Sequence, residues 1–223
     1  MIRLRELGRE RYGLALTLIL VSIVFIMATP DGSWADFFAL NLQALALFAS
    51  LRAAQPSVHL RVFCAVVIGL VIAAAWFQVA LGNGVDADFV HVGTMFLVLV
   101  ATPVIAWGVI RQVRDRGRIT VHTMMGALCI YLLMSLAFAS AFAATASLSQ
   151  EAFFSQGAQW GSLNNYLYYS LTTITTVGIG DLTPADGIGR SLTAAEALIG
   201  QIYVVTIVAA IVGNLGRKRS KDG

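Results

Sequence analysis

The sequence predicts an all-α membrane protein of six transmembrane helices, with a short re-entrant helix and a glycine-rich loop between the fifth and sixth. Three observations lead there. The 223 residues are 58% hydrophobic and only 12% charged, with a mean hydropathy of +0.78, a composition that belongs to a chain solvated mostly by lipid. Six apolar stretches recur at 13–29, 36–51, 62–81, 89–110, 121–147 and 191–214, near the roughly 20 residues needed to cross about 30 Å of hydrocarbon. Finally, the basic residues fall on one side when six crossings are assumed, as the positive-inside pattern requires.

The elements follow in order. The first stretch ends at Pro30 without a small-x-small cleavage site, and the orientation needs it, so it reads as a retained span rather than a signal peptide. The second is short. The third contains Cys64, and the fifth contains Cys129; both thiols lack His or acidic companions and read as small buried apolar residues. The fourth has His91 at its outer end and Pro103 as a potential kink. It carries no arginine, whereas a voltage sensor needs one at every third position of a membrane helix. The fifth is long enough to tilt. The basic residues are Arg3, Arg5, Arg9 and Arg11, then Arg52 and Arg61, then Arg111, Arg114, Arg116 and Arg118, and finally Arg217, Lys218, Arg219 and Lys221. Of the 15 basic residues, only Arg190 falls on the other side. Both termini are therefore expected in the cytoplasm, in a multi-pass protein of the plasma (inner) membrane. The net charge of +3 is dispersed among helix ends and forms no nucleic-acid patch. His59 and His122 border the cytoplasmic face as lone interfacial residues. The expected organisation is a cytoplasmic leader at 1–12, a four-helix scaffold at 13–111, a pore-like unit at 112–215 and a basic tail at 216–223. Arg217 to Lys221 in that tail read as ordinary anchoring.

The connection from about 148 to 190 is too long to be only a loop. Its start is mostly polar apart from Phe153, Phe154 and Trp160, and reads as an outer turret at headgroup level. Residues 163–175 then form a short helix of about 20 Å, too short to cross, which Ser162 is placed to cap. Next comes Thr176-Val177-Gly178-Ile179-Gly180. Glycine tolerates positive φ, so a run alternating glycine with β-branched residues can turn successive carbonyls the same way. Such carbonyls, with the Thr176 hydroxyl at one end, can replace the water around a monovalent cation.

Residues 175–181, with Pro184 beyond them, resemble the signature of the potassium channel pore family. The likeness covers about 121–215 well and the first 115 or so residues only by helix count. It implies K+ held at Thr176, Val177, Gly178 and Ile179, with Gly180 completing the filter. It also implies a fourfold homotetramer, since one loop cannot ring an ion. Thr175, Tyr168 and Tyr169 then support the filter, and Asp181 braces it or forms an acidic ring at the outer mouth; Asp186 reads as a solvated surface charge. Ile179 replaces the usual aromatic, which loosens the bracing. Gly200 matches the family's inner-helix glycine, as a gating hinge or a packing position. Glu196, an acid within a span, needs a partner, and the back of the short helix is the expected one. The implied function is passive K+ conduction without classical voltage gating. A weakly selective cation channel and a potassium-transporter membrane subunit are the alternatives. No nucleotide loop, metal motif or nucleophile constellation points to an enzyme. K+ is the permeant ion, no cofactor is expected, and membrane lipid is the remaining partner.

Overall fold

Each apolar run stops where its sequence supplies a stop. Arg11–Ala28 forms α1, after which the Thr29 amide and hydroxyl both donate to the Phe25 carbonyl at 3.0 and 2.6 Å. Pro30 cannot continue the helix. The chain reverses into α2, Ser33–Ala54, with Asp36 in its first turn, where the helix dipole favours an acid. Ser57 caps α3, Val58–Ala80, its hydroxyl accepting from the Leu60 amide. After a further connection come α4, Val121–Ser149, the twelve-residue α5, Leu163–Ile174, and α6, Gly187–Arg219. The computed structural model describes residues 11–30, 32–54, 57–81 and 121–219, with the single positions Gly93, Pro103, Trp107 and Arg111. The leader at 1–10, most of the expected fourth span and residues 220–223 lie outside the described residues.

Among the described residues the architecture is wholly helical, apart from an isolated β-bridge between Phe154 and Pro184. Four helical segments among the described residues are long and apolar enough to cross a membrane: Trp34–Ala54, Val58–Ala80, Thr123–Ser149 and Gly187–Ala210. The apolar part of α1, Tyr12–Ala28, is shorter than these. The second stretch, expected to be short, is a helix of 22 residues, because Asp36 and Arg52 sit at helix ends where charge is favourable and do not bound the span. Similarly, α6 starts at Gly187 rather than at 191. Asp186 is exposed, as expected of a solvated charge, and its carboxylate also accepts from the Gly189 amide at 2.7 Å and so caps the helix.

The packing is sequential, with one insertion. α1 pairs with α2, and it also lies against α4 and α5. The Cys129 thiol reaches the Tyr12 carbonyl at 3.8 Å, and the Asn164 amide reaches the Met27 carbonyl at 3.4 Å. Alanines at these contacts, including Ala15, Ala39, Ala44, Ala139 and Ala143, let the helix backbones approach closely, as in membrane bundles generally. Cys64 and Cys129 are buried free thiols. α3 packs along α2, with Cys64, Ile68 and Ala75 buried. Trp76 contributes an edge-on contact to Phe37 at 5.0 Å and an indole hydrogen bond to Asn41 at 3.4 Å. Within the helices, Ser50, Ser140 and Thr145 return their hydroxyl protons to carbonyls one turn back, so they bury no unmet donor.

The segment before α5, expected as a headgroup-level turret, is anchored by its two phenylalanines. Phe153 and Phe154 are 4% and 1% exposed. Together with Phe142, Tyr166 and Tyr169 they form an aromatic cluster with centroid spacings from 4.9 to 6.1 Å. The cluster anchors the chain on both sides of α5. The Ala185 amide donates to Phe153 at 2.8 Å, and the Ser155 amide donates to Thr183 at 2.9 Å. Phe154→Ala should cost about 3–5 kcal/mol through the cavity it leaves. A lowered thermal midpoint, with faster amide exchange in residues 150–160, is the expected result; an unchanged midpoint would contradict the anchoring role.

Candidate functional site

The site is built from the end of α5. Ser162 adopts extended backbone and accepts from the Asn165 amide at 3.4 Å, capping the helix as its place in the sequence predicts. At the other end the chain folds back on itself. The Thr176 amide donates to Thr173 at 2.9 Å, and those of Val177 and Gly178 donate to Thr172 at 2.9 and 3.0 Å. Thr176, Gly178 and Gly180 have φ of 59°, 52° and 84°, and they alternate with Val177 and Ile179. A left-handed threonine is strained, because its branched Cβ crowds the backbone; the amide bonds at this reversal hold it there. Among the described residues no hydrogen bond is donated to a carbonyl of residues 175–180. The whole run is exposed in the single chain, Val177 and Ile179 at 63% and 60%. The loop therefore offers a row of free backbone oxygens and, at Thr176, a hydroxyl.

Its flanks are braced. The Tyr168 hydroxyl donates to Asp181 at 2.9 Å, and the other carboxylate oxygen accepts from the Leu182 amide at 3.0 Å. The phenol is held above its ordinary range, first by that hydrogen bond, then by burial and the nearby carboxylate charge. The Thr175 hydroxyl returns to Leu171 at 2.6 Å. Tyr169 lies on the other face of α5, in the aromatic cluster, with its hydroxyl 2.9 Å from that of Thr193 on α6.

Behind α5, Glu196 of α6 is fully buried and meets the Ser170 hydroxyl. Ser170 in turn lies 2.9 Å from the Ser135 hydroxyl and 2.7 Å from the Ser135 carbonyl on α4. Three helices thus meet at one polar node. The second Glu196 oxygen has no hydrogen-bond partner. One turn further along α6, a Cβ on Gly200 would stand 2.5 Å from Ile174 Cγ1 and 3.0 Å from its carbonyl oxygen. Glycine is needed for this approach. Tyr131 donates to the same Ile174 carbonyl at 2.8 Å and stacks on Tyr203 at 6.0 Å. The sequence reading did not single out Ser135, Ser170, Tyr131 or Thr193, since nothing local marks a hydroxyl whose partner is 24 to 43 positions away.

Long apolar helices around a short helix and its glycine-rich return define a helical membrane protein with an ion-channel domain. The family model described as "Ion channel" matches residues 130–217, which spans α4 from Ile130, α5, the loop and α6 as far as Arg217. The chain is 30% identical over 131 residues to Protein LctB of Bacillus caldotenax, an alignment covering 56% of this chain and 95% of that protein. The chain belongs to the ion channel family. It is 42% identical over 62 residues to Protein LctB of Geobacillus stearothermophilus, covering 28% of this chain and 46% of that protein. It is also 33% identical over 56 residues to the "Putative potassium channel protein RPA4233" of Rhodopseudomonas palustris, covering 25% of this chain and 14% of that protein. No solved structure matches.

Two substitutions test how the site is held. Gly200→Ala should displace α6 from α5 and cost about 1–3 kcal/mol, with part of the loss recovered by Ile174→Ala in the same chain. Ser170→Ala should destabilise more than Glu196→Gln, because it strands a buried carboxyl while the amide keeps a hydrogen-bonding group in place. Thermal unfolding of the purified variants reads both, and the reverse order for the second pair would remove the node's structural role.

Proposed function

We propose that the chain is a tetrameric K+-selective channel that conducts K+ passively and is not classically voltage-gated. In this reading α5 is a re-entrant pore helix. Four copies bring residues 176–180 around one axis, and the Thr176, Val177, Gly178 and Ile179 carbonyls, with the Thr176 hydroxyl, replace the hydration shell of the ion. Both termini are then cytoplasmic, and the C-terminal end of α5 directs its partial negative charge towards the pathway. The observation that carries the proposal is the alternation of left-handed residues with amides turned into α5, which leaves the carbonyls unpaired. An ion-channel domain match at 130–217 and a relative named as a potassium channel support it. The exposed face of α6, with Leu198, Ile202 and Val205 each more than half exposed, would meet neighbouring copies.

A second reading, a weakly selective monovalent cation channel, is favoured by one feature. Ile179 has no hydroxyl, and that of Tyr168 is already engaged by Asp181, so the loop lacks the aromatic brace of the usual filter.

The reversal potential of the purified protein in a planar bilayer, with K+ on one side and Na+ on the other, separates the readings. A value close to the K+ equilibrium potential, with block by Ba2+, is the expected outcome. A reversal near zero would replace the first reading with the second, and Ile179→Tyr should then move it towards the K+ value. Absence of current in both the parent and Ile179→Tyr would remove conduction altogether.

A further inference from the structure

We infer that the α2–α3 corner holds an anionic phospholipid, with its phosphate between Arg52 and Arg61 and an acyl chain lying along α3. This site lies in the scaffold half of the chain, outside the matched channel domain, and does not depend on what the loop conducts.

The corner is an open groove of about 390 Å³ lined by Phe48, Leu51, Arg52, Arg61, Val62 and Ala65. Both flanking helices are of membrane-spanning length, so their connection stands at one membrane surface. Arg52 is two residues from the end of α2 and Arg61 is in the opening turns of α3. That height is the headgroup level.

The charge there is unbalanced. Arg52 is well placed at the negative end of the α2 dipole, but Arg61 stands at the positive end of α3, whose first turn contains no acid. A cation at a helix N-terminus is locally unfavourable. Neither arginine has an ion pair among the described residues, and both are exposed. An anion in the groove would offset the unfavourable placement of Arg61. Arginine also suits a phosphate, because its planar fork can donate two parallel hydrogen bonds. Arg52 is already ordered for that role, since its guanidinium carbon lies 4.6 Å above the Phe48 ring. Less side-chain freedom is then lost on binding.

The apolar side of the site distinguishes a lipid from a free phosphate. Val62, Val66 and Leu70 are 54%, 52% and 65% exposed and, at four-residue spacing, lie in one row along α3. From Arg61 that row extends about 13 Å, close to the roughly 15 Å depth of one hydrocarbon leaflet. A headgroup on the arginines would therefore lay its chain on a matching apolar strip.

The test is native mass spectrometry of the full chain in detergent, titrated with dioleoyl phosphatidylglycerol, and with dioleoyl phosphatidylcholine as the neutral comparison. The parent should bind the anionic lipid saturably and retain it roughly tenfold better than the neutral one. Arg52→Gln together with Arg61→Gln should abolish that preference, while Arg190→Gln should preserve it. Glycerophosphoglycerol, the headgroup without chains, should not compete. Equal retention of the two lipids by the parent, or a preference surviving in the double variant, would overturn the site. Competition by the chain-free headgroup as strong as by the lipid would overturn the lipid as its occupant.

Discussion

The last turn of α5 is where the constraints on this structure converge. Its carbonyls at Thr172 and Thr173 receive the amides of the three residues that reverse the chain. Its Ile174 carbonyl accepts from Tyr131 of α4, and its Ile174 side chain fills the space left by Gly200 of α6. The loop backbone is thus set by a helix end that two longer helices hold from behind. A left-handed threonine costs on the order of 1–3 kcal/mol, so the conformation persists only because its surroundings over-determine it. Loosening α5 would allow Thr176 to relax, and the row of free carbonyls would be lost with it.

The way α5 is held differs along its length. Near its start the grip is apolar, from the Phe142, Phe153, Phe154, Tyr166 and Tyr169 cluster. In the middle it is polar, from Ser135, Ser170 and Glu196. Aromatic packing tolerates small displacements. A fully buried carboxyl does not, because separation from its partner leaves a polar group unmet in a low-dielectric interior. The node therefore fixes the register of α5 against α4 and α6, while the cluster supplies apolar packing near its start. This division explains why an acid sits inside α6, where lipid exposure would be costly.

Much of this was legible in the residues. Apolar run length located α1, α2, α3, α4 and α6, and the alternation of glycine with β-branched residues foretold left-handed positions at 178 and 180. Ser162 announced the start of α5. Three features escaped, for different reasons. Phe153 and Phe154 sit in a polar stretch, and their burial depends on strand-like pairing with residues about thirty positions later. Asp186 could have been read as a cap, since it precedes Gly189 by three residues, but glycine-rich sequence hides a helix start. The left-handed Thr176 follows from neither propensity nor pattern; it is imposed by the amides that bond back to α5. Arg52 and Arg61 looked equivalent as topology markers, and only their opposite helix ends distinguish them electrostatically.

Exposure of apolar side chains on α6 is weak reason to expect neighbouring copies, because lipid covers such a surface without penalty. The loop is a stronger reason. Side chains such as Val177 and Ile179 are content in hydrocarbon, whereas the carbonyls between them are not. Irregular backbone at bilayer depth survives only when buried in protein or facing a wet cavity. With α5 too short to cross and the loop returning from its end, the unpaired oxygens of residues 175–180 need water, an ion or protein beside them. No part of the described chain supplies that cover. If the loop lies within the bilayer, the demand for assembly therefore comes from its backbone, and an arrangement that satisfied only the apolar faces would leave it unmet.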